Sequence, residues 1–213
     1  MVMETQTTSM SIKEFLGNVL FKNTNEGTTY ISANEYLKEH KLGVFGLIAK
    51  NDKDGTPMIL LAHRRDMDMW NIPGGGVDNP DASLRDELAR EIFEETGYHV
   101  NIEGKPILSI NPPIDPESTR YMSSNNGSTR YDAQVWMVAS VTDGELSLND
   151  EASGLQWCRL DRLTENTYVR HALFLESLQE EYVSKTFMEA LKKSASANSN
   201  KLSNVDGIGE KIG

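Results

Sequence analysis

Gly74-Gly-Gly-Val-Asp-Asn-Pro-Asp-Ala-Ser-Leu-Arg-Asp-Glu-Leu-Ala-Arg-Glu-Ile-Phe-Glu-Glu-Thr-Gly-Tyr98 joins a glycine-rich turn to a stretch of helical periodicity. Ser83 stands where an N-cap belongs, with Asp86 at N3 as a shortened capping-box partner, and Gly97 supplies the usual C′ stop. The pattern therefore predicts a helix over 84–96. At about 100° per residue, Leu84, Leu88 and Ile92 form one apolar stripe, and Glu87, Glu91, Glu94 and Glu95 form a band along its edge. Such a band is costly. Glu87 with Glu91, and Glu91 with Glu95, are like-charge pairs at i,i+4, each destabilising an isolated helix by roughly a few tenths of a kcal/mol. Glu94 and Glu95 also lie near the C-terminal end, where the helix dipole disfavours negative charge. One reading is a solvated acidic face. The glycine turn just upstream favours another, a set of carboxylates gathered for a hard divalent cation such as Mg²⁺, which is commonly held by carboxylates together with substrate phosphates.

The surrounding chain supports one main domain. Its 213 residues are 38% hydrophobic and 25% charged, an ordinary globular composition with enough length for one substantial core. The formal net charge is −11. An acidic surface repels nucleic-acid polymers and anionic membranes, so neither is the expected partner. Between Gly74 and Tyr98 seven acids face two bases, so nearly half of the excess charge sits in one turn and helix, where a divalent cation could bring a phosphate in. No apolar run approaches the roughly 18 residues of a membrane span. The N-terminal stretch has neither the basic patch nor the apolar core of a secretory signal, which predicts a cytoplasmic address. The single cysteine, Cys158, excludes an intrachain disulfide and a cysteine-rich zinc site, and its apolar surroundings predict a buried structural thiol. His40, His63, His99 and His171 have no two-histidine metal spacing.

Outward from the helix, strand-like runs are expected at 43–49 and 58–62 as a hairpin, and again at 106–110, 131–141 and 155–160. Residues 1–41 read as a partly disordered extension, in which Ser11 could cap a short helix carrying Phe15, Val19 and Leu20, and Ser32 another. The main domain is expected over 42–192, closed by an amphipathic helix over 168–191. A Ser-, Asn- and Lys-rich tail, 193–213, reads as disordered. The Pro-, Ser-, Asn- and Gly-rich stretch 111–130 reads as a long loop.

The quoted segment resembles the signature of the Nudix hydrolase family: Gly, five residues, Glu, seven residues, then Arg-Glu-U-x-Glu-Glu-x-Gly-U, with U bulky and apolar. Arg90, Glu91, Ile92, Glu94, Glu95, Gly97 and Tyr98 match every fixed position of the second half, and Trp70-Asn-Ile-Pro-Gly-Gly-Gly76 ahead of it is also typical. The first half departs. Counted back from Arg90 the acidic position falls on Ala82; counted forward from Gly75 it falls on Asp81, which places one extra residue in the turn between Gly76 and Ser83. The resemblance implies an α/β/α sandwich with a mixed β-sheet, and a Mg²⁺- or Mn²⁺-dependent pyrophosphohydrolase of nucleoside diphosphates linked to a group X. In that reading the metal neutralises diphosphate charge and activates water for attack on phosphorus.

Carried over residue by residue, the resemblance implies that Glu94 and Glu95 bind the metal, with Glu91 as a further ligand or the proton acceptor, the latter favoured. Arg90 would orient these carboxylates, and a carbonyl of Gly74 or Gly75 would add a ligand. A later loop carboxylate is expected too: Glu151 is the candidate, with Asp150 and Glu145 as competitors. Arg64, Arg65 and Arg130 could meet phosphates or be ordinary surface arginines. Trp70 could stack on a base or pack in the core. Pro113, fifteen residues after Tyr98, resembles a marker of ADP-ribose pyrophosphatases and tilts the substrate toward ADP-ribose or a related nucleotide. A hydrolase of 8-oxo-dGTP or another nucleoside triphosphate fits the same motif. So does a catalytically silent nucleotide-binding regulator, which the altered 81–82 region keeps open. Homodimers are common among relatives of this kind, and a homodimer is expected as an option here.

Overall fold

The computed structural model describes residues 11, 12, 14, 20–23, 29–32, 42–66, 68–79, 81–110, 133–160, 167, 171, 172, 174, 175, 178 and 185–202. In chain order the strands are β1 (Leu20–Asn23), β2 (Thr29–Ser32), β3 (Leu42–Asn51), β4 (Pro57–Arg64), β5 (Met69–Asn71) and β6 (Gly74–Gly76). Helix α1 (Leu84–Thr96) follows, then β7 (Tyr98–Ile110), β8 (Ala133–Gly144), β9 (Ala152–Arg159) and helix α2 (Lys185–Leu202).

β1 and β2 form a small antiparallel pair of their own. The main sheet has seven strands in the order β5-β4-β3-β8-β7, with β6 added to β3 and β9 to β4. Its centre is parallel, Leu42 to Ile48 of β3 lying in register with Ala133 to Ala139 of β8, and the other pairings are antiparallel. This is the mixed sheet expected, and the β3–β4 hairpin is present with Ala49 opposite Ile59.

The period-2 alternation of side chains splits the sheet between two cores. Val44, Ile48, Leu60, Ala62, Val135, Met137 and Ala139 face α1 and pack on Leu84, Leu88 and Ile92. Phe45, Leu47, Ala49, Ile59, Leu61, Trp136 and Val138 face the other way, against Phe174, Leu175, Leu178, Phe187, Leu191 and Ala195. Helices thus cover both faces, and the α/β/α expectation holds. Cys158 is buried in the second core, as expected.

Three expectations are corrected. β7 begins at Tyr98 rather than 106, and a register shift between Glu103 and Ile107 lets the strand run on through Gly104 and Pro106. Residues 193–202 of the tail expected to be disordered are the second half of α2. Their small polar side chains are structural: Asn198 donates from Nδ2 to the Ala49 carbonyl at 2.7 Å and accepts the Val141 N–H at 2.8 Å, while Ser194 donates to the Ala139 carbonyl at 2.8 Å. The extension is not separate either. Ser11 caps as expected, accepting the Glu14 N–H at 3.2 Å, but Leu20 belongs to a strand. Ile12 is buried in the α1-side core, and its N–H donates to the Ala82 carbonyl at 2.9 Å.

Candidate active site

α1 forms where the sequence places it. Ser83 Oγ accepts the Asp86 N–H, the N-cap bond that satisfies an otherwise orphaned amide. At the other end Gly97 takes φ +75°, a left-handed conformation that closes the helix through its N–H to Phe93. The apolar stripe sits on the sheet, so the glutamates beside it are drawn toward the place where β6 pairs with β3. Glu87 and Glu95 are 4% and 6% exposed, rare burial for carboxylates that is tolerated only when they are paired.

The site has two halves. On one side, Glu95 Oε2 accepts the Gly74 N–H at 2.9 Å, and Arg64 Nη1 stands 3.3 Å from Glu95 Oε1. Arg64 also reaches Glu151 Oε2 at 3.3 Å and Asp66 Oδ1 at 3.0 Å. Glu151 is therefore tied to the site through Arg64. Burial pushes the Glu95 carboxyl up to about 7, against the opposing pull of the Gly74 N–H and Arg64.

On the other side, Arg90 sits among four carboxylates. Its Nη2 is 2.6 Å from Glu91 Oε1, 2.8 Å from Glu87 Oε1 and 3.4 Å from Asp78 Oδ2, and its Nη1 is 2.8 Å from Glu94 Oε2. Asp78, Glu87 and Glu91 each offer an oxygen within 4.8 Å of the others. Burial raises the Glu91 carboxyl, and Arg90 only partly offsets it. Burial pushes the Glu87 carboxyl up too, but there Arg90 and the Asp78 N–H prevail and hold it below the ordinary value. Glu94 is 53% exposed on the outer flank.

The residues present fit a hard divalent cation. The donor set is all oxygen, which suits Mg²⁺ or Mn²⁺. Glycine at 75 is needed for the fit: a Cβ there would lie 2.6 Å from Glu91 Cδ, so a side chain would displace the carboxylate that the turn now accommodates.

Of the residues singled out from sequence, the fold brings Gly74, Gly75, Glu91, Glu95, Arg64, Arg90 and Glu151 together around the β6 turn. Glu94 joins through Arg90. Arg65 is exposed, with Nε bonded to the Ala152 carbonyl at 3.3 Å. Trp70 is half-buried, its ring 4.8 Å from that of His63 at 62°, and packs against the second core. Pro113, Arg130 and the expected 111–130 loop lie outside the described residues. Sequence reasoning passed over Asp78, Glu87 and His171. Glu87 was visible as an acid bordering the apolar stripe; Asp78 enters through the turn. His171 is buried and accepts the Ile72 N–H on Nδ1 at 2.9 Å, bracing the chain just ahead of the glycine turn.

A sequence model of the family described as the NUDIX domain matches residues 40–178. A Bacillus subtilis (strain 168) protein named "Putative 8-oxo-dGTP diphosphatase" is 32% identical over 108 residues, 51% of this chain and 62% of that protein. The human protein named "Nucleoside diphosphate-linked moiety X motif 6" is 28% identical over 135 residues, 60% of this chain and 38% of that protein. The chain thus spans less than two thirds of the length of either relative. Among solved structures, a MutT protein from Methanosarcina mazei Go1 has the same fold, with a TM-score of 0.50 at 22% identity over 68% of this chain and 96% of that one.

Proposed function

Because the chain belongs to the Nudix family, we propose that it is a divalent-metal-dependent pyrophosphohydrolase that cleaves a nucleoside diphosphate linked to X. The observation that carries this reading is the gathering of the buried Glu87 and Glu95 and the part-buried Glu91 around one glycine turn, with Asp78, Glu87 and Glu91 each offering an oxygen within 4.8 Å of the others. Mg²⁺ or Mn²⁺ held there by Glu91, Glu95, Glu94, Glu151 and the Gly74 or Gly75 carbonyl would neutralise diphosphate charge and promote attack of water on phosphorus.

The chain's own groups supply the rest. Glu91, part-buried beside the glycine turn and 2.6 Å from Arg90, is the group placed to take the proton from the attacking water. Arg64, fixed by Glu95, Asp66 and Glu151, holds the metal-binding carboxylates in place. Arg65, exposed beside it, meets a substrate phosphate. Trp70 offers an aromatic surface for a base.

For the substrate, the sequence lean toward ADP-ribose rests on Pro113, whereas the name of the Bacillus subtilis relative favours a nucleoside triphosphate such as 8-oxo-dGTP. A panel of ADP-ribose, nucleotide sugars, dinucleoside polyphosphates and nucleoside triphosphates, assayed for phosphate products with Mg²⁺ and with chelator, separates the two. Absence of metal-dependent turnover on every member would favour the silent regulator instead.

A further inference from the structure

Arg90 bonds to four carboxylates, yet the four are not equivalent. Glu94 is half-exposed and Asp78 more so, and neither is held in place by burial. Glu87 is buried, and the oxygen that meets Arg90 at 2.8 Å also accepts the Asp78 N–H at 2.9 Å. Moving it would orphan the Asp78 N–H and take from Arg90 the most deeply buried of its partners. Neither residue at the family's first acidic position does this work. Ala82 has no carboxylate and gives its carbonyl to Ile12, and Asp81 lies exposed on the turn with its N–H on Asn79 Oδ1.

We propose that Glu87 is a positioning residue: it is the permanent partner of Arg90 and keeps that guanidinium from neutralising the carboxylates that bind the metal. The proposal rests on the metal reading above. A guanidinium 2.6 Å from Glu91 is a built-in competitor of any cation for that oxygen. When Glu91 and Glu94 turn to a metal, Arg90 keeps a full charge-assisted bond to Glu87. Without the charge of Glu87, its remaining close partners are the two carboxylates the metal needs.

The test is Mn²⁺ binding in the absence of substrate, followed by the electron paramagnetic resonance of free Mn²⁺. Glu87→Gln keeps an acceptor for the Asp78 N–H but removes the charge. It is expected to raise the half-saturating Mn²⁺ concentration about tenfold. The double variant Glu87→Gln with Arg90→Gln should bind more tightly than Glu87→Gln alone, since the competitor is gone; a merely structural Glu87 would give no such rescue. Unchanged binding in Glu87→Gln, or a double variant no better than the single one, overturns the proposal. If Glu87→Gln does not fold, the wild-type protein decides: the ¹⁵N guanidinium signals of Arg90 should stay those of a restrained group at saturating Mg²⁺, and their collapse to a freely rotating group overturns it. A wild-type protein that binds no Mn²⁺ sinks the metal reading itself, whereas tight binding indifferent to Glu87→Gln sinks only this role.

Discussion

The Gly74 N–H donates to Glu95 Oε2 at 2.9 Å, so the glycine turn and the last turn of α1 are joined by a buried carboxylate. Glu95 thus fixes the backbone of the glycine turn while its own charge lacks solvent. Arg64, 3.3 Å away, is a long ion pair rather than a tight one.

That burial gives a pH prediction. The Glu95 carboxyl is raised from 4.5 to about 7, so between those values the folded state holds a proton that the unfolded state has lost. Stability from this group is present below about pH 4.5 and is lost as pH rises through about 7 in metal-free protein. Thermal melts in chelator should show that decline, and Glu95→Gln should flatten it. Mg²⁺ affinity should run the other way, increasing over the same interval as the carboxyl ionises.

At Gly75 the prediction separates site geometry from folding. A Cβ in Gly75→Ala would push the Glu91 carboxylate aside, and a displacement near 1 Å costs on the order of a hundredfold in rate. Steady-state kinetics should show that loss in kcat while the melting temperature stays near wild type.

Asn198 tests the extended α2. Its side chain serves the Ala49 carbonyl and the Val141 N–H, both at the ends of central strands. Asn198→Ala leaves both buried without that partner and should cost roughly 2 kcal/mol or more by urea unfolding, with kcat at saturating substrate unchanged.

Ile12 tests whether the extension is part of the domain. It is 1% exposed beneath α1 and bonded to the turn at Ala82. Ile12→Ala should destabilise by about 2–5 kcal/mol, the cost of a core truncation; a surface position would change little.

Helix α1 was legible in the sequence because Ser83 and Gly97 are local capping signals and Leu84, Leu88 and Ile92 form a stripe of helical period. The mixed sheet came with the family resemblance, and the continuous apolar run over 44–49 agreed with a buried strand. What escaped has physical reasons. Ser194 and Asn198 read as polar tail residues because composition does not reveal that the ends of β3 and β8 need hydrogen-bond partners there. Ile12 lies 70 residues from Ala82, a contact no local pattern encodes. Glu87 was seen on the helix edge but not as a site residue, since its importance comes from Asp78 folding back over it across a turn one residue longer than the family pattern.

The central claim is that the carboxylates buried against the glycine turn hold the metal for phosphoanhydride hydrolysis. It is tested most directly by measuring Mg²⁺-dependent turnover of the best panel substrate by wild type, Glu91→Gln, Glu95→Gln and Glu94→Gln, each confirmed folded. The account predicts turnover that chelator abolishes and that falls at least about a hundredfold in Glu91→Gln and Glu95→Gln, with a smaller loss in the exposed Glu94→Gln. Turnover that survives chelation, or that is undiminished in Glu91→Gln and Glu95→Gln, would contradict it.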